Sequence, residues 1–221
     1  MVASNIRRAQ DLPQVIPVFP LEGVLLLPHG MLPLNIFEPR YLNMVDDAMA
    51  GERMIGMVQA LPGGDRERPS LASIGCAGKI TSFAETSDGR YLITLTGISR
   101  FLLGEELPVR TPYRQVRADF MPFEADLEPI GEDEGFDKLR LLHALKAYLD
   151  RRLLEVDWET AKAAPAEALV NSLAMALPFD PAEKQALLEA ATTTDRREAL
   201  VALLEIDAAS TGDDDETHSV Q

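Results

Sequence analysis

Gly78-Lys79 is the first place in this sequence to look for chemistry, because a Gly-Lys step can close a phosphate-binding loop. Such a loop needs a glycine, four residues, then Gly-Lys-Ser or Gly-Lys-Thr, so that backbone N–H groups surround the anion. Here the earlier position holds Ser73 and the later one Ile80, so the pattern fails twice. Cys76 lies near Lys79, and a neighbouring cation can lower a thiol pKa toward a reactive thiolate. Flanked by Gly75 and Ala77 at a strand start, the lone cysteine reads instead as a small buried apolar residue. His29, His143 and His218 are scattered, and no pair of His or Cys has metal-ligand spacing. No Gly-x-Ser-x-Gly elbow is present. The acidic run from Asp213 to Glu216 lacks the spaced ligands and turn glycine of a calcium loop. These observations predict no catalytic residues, no metal and no cofactor.

Residues suited to binding are better represented. Met31, Met44, Met49, Met54 and Met57 fall within 27 residues, and flexible thioethers suit surfaces that accept varied apolar partners. At helical or strand spacing they also fill cores. The expectation is a substrate-binding patch made by Met31, Leu32, Leu34, Phe37, Arg40, Met44 and Met49 that grips extended or unfolded polypeptide. Within Glu38-Pro39-Arg40-Tyr41, Glu38 can stabilise a helix N-terminus by charge, and Arg40 can tie that helix to strand-end carbonyls or a carboxylate.

The elements that must position these residues change character along the chain. In the first half, short apolar runs are punctuated by Gly, Pro and Asp, a strand signature. Val15 to Leu21 is broken by Pro17 and Pro20, which predicts a sheet edge. Val24 to Leu27, Met31 to Phe37, Met54 to Leu61, Ala77 to Glu85, Arg90 to Thr96, Ile98 to Leu103 and Arg114 to Met121 read as further strands, with a hairpin turn at Ser87-Asp88-Gly89. One helix, opened by Pro39 and ended by Gly51, interrupts them. This pattern favours a small antiparallel barrel or sandwich. After Asp133 the period becomes helical: Phe136, Leu139, Leu142, Leu145, Leu149 and Leu153 form one stripe. Ala166 to Leu177 is a second helix. Asp180-Pro181-Ala182-Glu183 has the residues of a capping box opening a third, and a last helix starts near Thr194-Asp195.

The 221 residues are 46% hydrophobic and carry a net charge of −15. That balance argues against nucleic acid as a partner, because phosphate binding uses Lys and Arg to displace counterions. No apolar run approaches the roughly 18 residues of a membrane span, and no secretory signal opens the chain, so a cytoplasmic protein is expected. Residues 124–137 and 207–221 together hold twelve of the fifteen excess negative charges. The first stretch reads as a solvated linker and the second as a disordered tail.

Pro17-Val18-Phe19-Pro20-Leu21, Val24-Leu25-Leu26-Leu27-Pro28-His29-Gly30 and Leu32-Pro33-Leu34 resemble the opening of the Lon protease N-terminal, substrate-binding domain. Ile36-Phe37-Glu38-Pro39-Arg40-Tyr41 is similar to the version found in short standalone members. Gly75-Cys76-Ala77-Gly78-Lys79-Ile80, Leu92 to Phe101, and Leu177 to Glu189 resemble later motifs of that family in the expected order. The resemblance implies an α+β fold: an antiparallel β pseudo-barrel of PUA-like, Lon N-terminal type, then a helical bundle. The corresponding parts are an N-terminal extension (1–12), a β subdomain (13–122), an acidic linker (123–133), a helical bundle (134–207) and a tail (208–221). It also implies a non-enzymatic polypeptide-binding module, because after Ile206 only the acidic tail remains and the ATPase and peptidase modules have nothing to map onto. Its expected partners are unfolded or specific polypeptides, with a protease or chaperone as recipient, and strand addition as one expected mode. A small-molecule or nucleotide-binding regulator using the barrel mouth is the alternative. RNA binding is suggested only by the PUA-like fold, and the acidic balance opposes it.

Overall fold

Apolar runs bounded by glycine and proline form six strands: β1 (Val15–Pro20), β2 (Met31–Ile36), β3 (Met54–Val58), β4 (Ile74–Glu85), β5 (Tyr91–Glu106) and β6 (Arg114–Asp119). Helix α1 (Pro39–Ala50) lies between β2 and β3. After β6 come α2 (Lys138–Arg152), α3 (Trp158–Ala163), α4 (Ala166–Ala176), α5 (Pro181–Glu189) and α6 (Thr193–Ala209), with 3₁₀ turns at Ala9–Asp11 and Met121–Leu127. The structure is a computed structural model and describes residues 6–62, 68–129 and 137–209. The architecture is α+β.

The sheet order is β2-β5-β4-β3-β1-β6, and β5 also pairs with β6, so the pairings that leave β5 through β4 return to it. Two expectations fail here. The sheet is mixed rather than antiparallel, because β1 and β3 run parallel, with Val18 opposite Gly56 and Pro20 opposite Val58. Such a pair needs a long crossover, which the β2–α1 segment supplies. Nor is β1 an edge. It is flanked by β6 over Val15–Val18 and by β3 over Val18–Pro20. The two partners cover different halves of the strand, so Pro17 and Pro20 each face one partner only and no ladder bond is lost twice.

Val24–Leu27 is a loop rather than a strand, although Leu25, Leu26 and Leu27 are all buried. It crosses β5 at Gly97, where a Cβ would lie 2.0 Å from the Leu27 carbonyl oxygen. Gly97 therefore does not separate two strands; it lets one long strand pass under the loop, with His29 N–H donating to Gly97 O at 2.9 Å. The expected hairpin turn is present, with Gly89 at φ +77° and Thr86 N–H bonded to Arg90 O. The α5 capping box is present too: Glu183 N–H donates to Asp180 Oδ1 and Asp180 N–H to Glu183 Oε2, both at 2.8 Å.

The largest apolar cluster spans both halves of the chain, joining Leu25–Leu27, Ile36, Met44, Val45 and Leu95 to Leu145, Tyr148, Leu173, Leu187 and Leu204. A second cluster inside the sheet contains Ile16, Val18, Val58, Phe101 and Phe120. Within α2 the core face is Leu141, Ala144, Leu145, Tyr148 and Leu149, one step round from the expected stripe, and Leu139 and Leu153 are exposed. The expected solvated linker is exposed along most of its described length, but one of its carboxylates is not solvated. Asp126, in the 3₁₀ turns, pairs with Arg100 of β5 through Nη2–Oδ1 at 2.8 Å and Nε–Oδ2 at 2.9 Å, both side chains nearly closed to solvent. Arg100 Nη1 continues to Ala190 O at 2.5 Å, linking β5 to the end of α5. The remaining linker residues 130–133 and tail residues 210–221 lie outside the described residues; Ala208 and Ala209, expected in the tail, end α6.

Candidate functional site

Strand β2 pairs with β5 and with no other strand among the described residues, so one of its edges is open. Pro33 fixes which backbone groups face that edge. Proline has no N–H and fits an antiparallel strand at a position turned away from the partner. Alternation then turns Met31, Pro33 and Asn35 outward and leaves Leu32, Leu34 and Ile36 to bond β5. The neighbouring contact agrees, since Gly97 N–H donates to Gly30 O at 2.8 Å, two residues before Leu32. The open edge thus offers donors at Met31 and Asn35 and a carbonyl at each outward residue, with the middle donor removed by Pro33.

Beside the start of this strand lies a groove of about 460 Å³. Met31, Leu32 and Pro33 form one wall, and Ala168, Met175 and Ala176 of α4 form the other. Gly30 sets the spacing between them: a Cβ there would lie 2.4 Å from Met175 Sδ. Asn171 lies at the floor, only 2% exposed, and its Nδ2 donates to Pro28 O at 3.0 Å. The groove is therefore mainly apolar, with His29 and Ser172 the exposed polar residues on its lining, bounded by two flexible thioethers and continuous with an unpaired strand edge.

The structure separates the residues expected to form one patch. Met31 is 66% exposed and shares the groove with half-buried Leu32. Leu34 is half-buried on the face of β2 that packs toward the core. Phe37, 62% exposed, stands beyond the far end of β2 under the Arg90 guanidinium, 6.0 Å from its ring centre. Met49 is half-buried against the core. Met44 is fully buried and cannot line a surface, because α1 turns Tyr41, Met44, Val45 and Ala48 inward together. The wall contributed by α4 has no counterpart in the sequence expectation: Gly30 reads there only as part of the Pro28-His29-Gly30 motif, and nothing in the α4 sequence distinguishes Met175 from a core residue.

Arg40 belongs to a different concavity, of about 600 Å³, with Tyr41, Arg68, Glu106, Tyr113 and Arg114. Its Nε and Nη2 bind Glu38 Oε2 at 3.0 and 2.9 Å, and its guanidinium stacks over Tyr41. Arg114 holds Glu106 through two bonds of 3.0 and 2.7 Å and reaches Pro69 O with Nη1, while Arg68 adds a third bond to Glu106. The Arg114 bonds hold the Glu106 carboxyl below its usual range. Tyr113 donates to Asp47 Oδ2 at 2.6 Å, and burial together with that carboxylate pushes its phenol up to about 12. The polar groups here are engaged with one another.

Cys76 is buried, with its thiol pushed up by desolvation despite the guanidiniums of Arg196 and Arg100 nearby. His29 occupies a tight turn at φ 62°, and His143 is exposed on α2. Among the described residues no group of three or more His, Cys, Asp or Glu is placed to hold a metal ion, and no helix is long and apolar enough to cross a membrane.

The family model of the ATP-dependent protease La (LON) substrate-binding domain matches residues 15–205. Lon protease 2 of Myxococcus xanthus is 27% identical over 122 residues, which cover 54% of this chain and 14% of that protein. The Lon protease of Dictyoglomus thermophilum is 27% identical over 136 residues, covering 61% and 17%. The chain thus spans only a small share of the length of these relatives. A solved Lon N-terminal domain protein from Xanthomonas campestris superposes with a TM-score of 0.60 at 26% identity, covering 85% of this chain and 97% of that one. The N-terminal domain of a Mycobacterium avium complex Lon protease shares the fold, with a TM-score of 0.58 at 20% identity over 89% of this chain and 99% of that one.

Proposed function

This chain belongs to the family of Lon substrate-binding domains, and from that premise we propose that it is a non-catalytic module that binds extended or unfolded polypeptide in the groove between β2 and α4. The observation that carries this reading is the junction of an apolar groove with an open strand edge. The edge offers main-chain hydrogen bonds that any sequence can use, and the groove offers a pocket for an apolar side chain. Met31 and Met175 can repack around guests of different shape, which suits a binder of varied segments. The missing donor at Pro33 favours a short guest strand over a long flat one and protects the edge from self-pairing. On this reading Met31 and Leu32 contact the guest directly, and Phe37, beyond the far end of β2, extends the apolar track.

The ring of pairings that returns to β5 supports a pseudo-barrel of the PUA-like type for the β part. Delivery of bound chains to a protease or chaperone in the cytoplasm, as part of protein quality control, is the proposed setting. Regulation by a small molecule is less supported: the larger concavity has converging arginines, but Glu38 and Glu106 already bind them.

Equilibrium binding of the chain to a fluorescently labelled, permanently unfolded protein tests the reading. Saturable binding that short apolar peptides compete for, and that Met175→Glu weakens about tenfold or more while the fold is kept, is the expected result. Binding unchanged by Met175→Glu and Met31→Glu together would move the site elsewhere.

A further inference from the structure

We infer that Met31 is a site of reversible oxidation whose sulfoxide form closes the groove between β2 and α4 to apolar chain. The inference rests on the polypeptide-binding reading of that groove.

The thioethers of this chain differ in what can reach them. Met44, Met54 and Met57 are buried, and Met49 and Met175 are half-buried against the core. Met31 and Met121, 66% and 63% exposed, are the two exposed methionines among the described residues. Oxidation by peroxide in water follows exposure, so these two sulfurs react first. Of the two, Met31 lines the groove. Met121 stands in the 3₁₀ turns after β6 and supplies a built-in comparison.

The reaction moves two electrons from sulfur to hydrogen peroxide. A lone pair of Met31 Sδ attacks one peroxide oxygen, and the S–O bond forms as the O–O bond breaks. The proton left on the transferred oxygen passes to the departing hydroxide, which leaves as water. Two thiols, joined into a disulfide as in a methionine sulfoxide reductase, restore the thioether and release a second water.

Position gives the product its effect. The thioether is an apolar wall facing Ala168, Met175 and Ala176. A sulfoxide oxygen is a hydrated acceptor, and an apolar guest side chain entering beside it must strip that water without replacing it. His29 and Ser172, exposed on the same lining, are donors for the new oxygen, so the oxidised side chain gains partners within the groove. The fold is indifferent to the change, because Met31 belongs to neither apolar core cluster. Met175 differs, since its Sδ packs against Gly30 and an oxygen there would strain the contact between β2 and α4.

The experiment treats the full chain with hydrogen peroxide in steps and removes the peroxide before a labelled, permanently unfolded protein is added. Mass mapping follows each methionine, equilibrium binding gives the affinity, and circular dichroism gives the melt. Met31 and Met121 should convert first. Affinity should fall about tenfold or more in step with Met31, with the melt unchanged, and return after methionine sulfoxide reductase treatment. Met121→Leu should bind as the parent does and keep the full peroxide response. Met31→Leu, compared with itself before and after peroxide, should lose that response. Affinity that survives complete conversion of Met31 would overturn this inference alone, and so would a loss that tracks Met121 or arrives with a lowered melt. No binding by the untreated chain would overturn the polypeptide reading, and this inference with it.

Discussion

Asn171 Nδ2 donates to the Pro28 carbonyl at 3.0 Å, so a buried side chain of α4 holds the loop that leads into β2. Its Oδ1 accepts from Arg196 Nη1 at 3.2 Å, so the same amide also ties α4 to α6. Replacing it by Leu keeps the volume and removes both bonds, stranding a carbonyl and a guanidinium nitrogen. The expected loss is roughly 3 kcal/mol, the scale of unsatisfied buried groups when one is charged. Urea denaturation should show a lower midpoint with an unchanged slope.

Arg100 and Asp126 form the most enclosed ion pair among the described residues. Asp126→Asn would leave the Arg100 charge buried without its counter-ion, and breaking such a pair costs about 3–5 kcal/mol. Replacing both partners by apolar residues should cost less than either single change. A double-mutant cycle on urea midpoints measures the coupling, and additive single effects would show that the pair does not act as a unit.

Much of the fold could be read from the sequence because local signals agree with tertiary need. The Asp180–Glu183 box, Pro39 at a helix start and Asp88-Gly89 at a hairpin need little knowledge of distant contacts. The misreadings share one cause, which is that tertiary partners decide burial. Pro17 and Pro20 suggest an edge unless two partners are known to divide β1 between them, and Val24–Leu27 has strand composition but is buried under helices. Asp126 sits in an acidic run whose composition implies solvation, while its partner Arg100 lies 26 residues away. The candidate groove was half legible. Met31 and Leu32 belong to an apolar run near a turn, whereas α4 comes more than 130 residues later and only the folded chain brings it alongside.

Gly97 and Gly89 should respond differently to alanine. At Gly97 the new Cβ would meet the Leu27 carbonyl oxygen at 2.0 Å, forcing the buried loop off β5. Overpacking of that kind costs about 1–3 kcal/mol or more. At Gly89 nothing lies within 4 Å, and only the φ of +77° opposes a side chain, at about 1–2 kcal/mol. Thermal unfolding of the two variants should rank Gly97→Ala clearly below Gly89→Ala.

Glu106 predicts a component of the acid response. The Arg114 and Arg68 bonds lower its folded-state pKa beneath the unfolded value, so the unfolded chain binds a proton more readily in the window between them. Its stabilisation is therefore fully present above the ordinary glutamate range of about 4.3 and is lost as pH falls through the folded value. Glu106→Gln should lower the urea midpoint at pH 7 and flatten its decline between about pH 5 and pH 3. A decline as steep as that of the parent would assign the acid limb to other carboxylates.

Met31 and Met44 offer a test of the difference between a binding thioether and a packing one. Both belong to the same methionine-rich segment, yet Met31 is 66% exposed at the groove and Met44 is fully buried beneath α1. Met31→Glu adds a charge that stays in water, so the unfolding midpoint should move by no more than about 0.5 kcal/mol in equivalent stability. The charge should nevertheless weaken capture of an apolar segment. Met44→Glu places a carboxylate in the core, where it must either protonate or drive the helix off the sheet, and the expected result is a chain that unfolds or loses several kcal/mol. Circular dichroism melts and labelled-peptide binding on both variants separate the two roles. Loss of binding in Met31→Glu with an unchanged melt would place the thioether in contact with the guest. Full binding in that variant would remove Met31 from the guest-binding surface and leave the α4 wall to carry the contact.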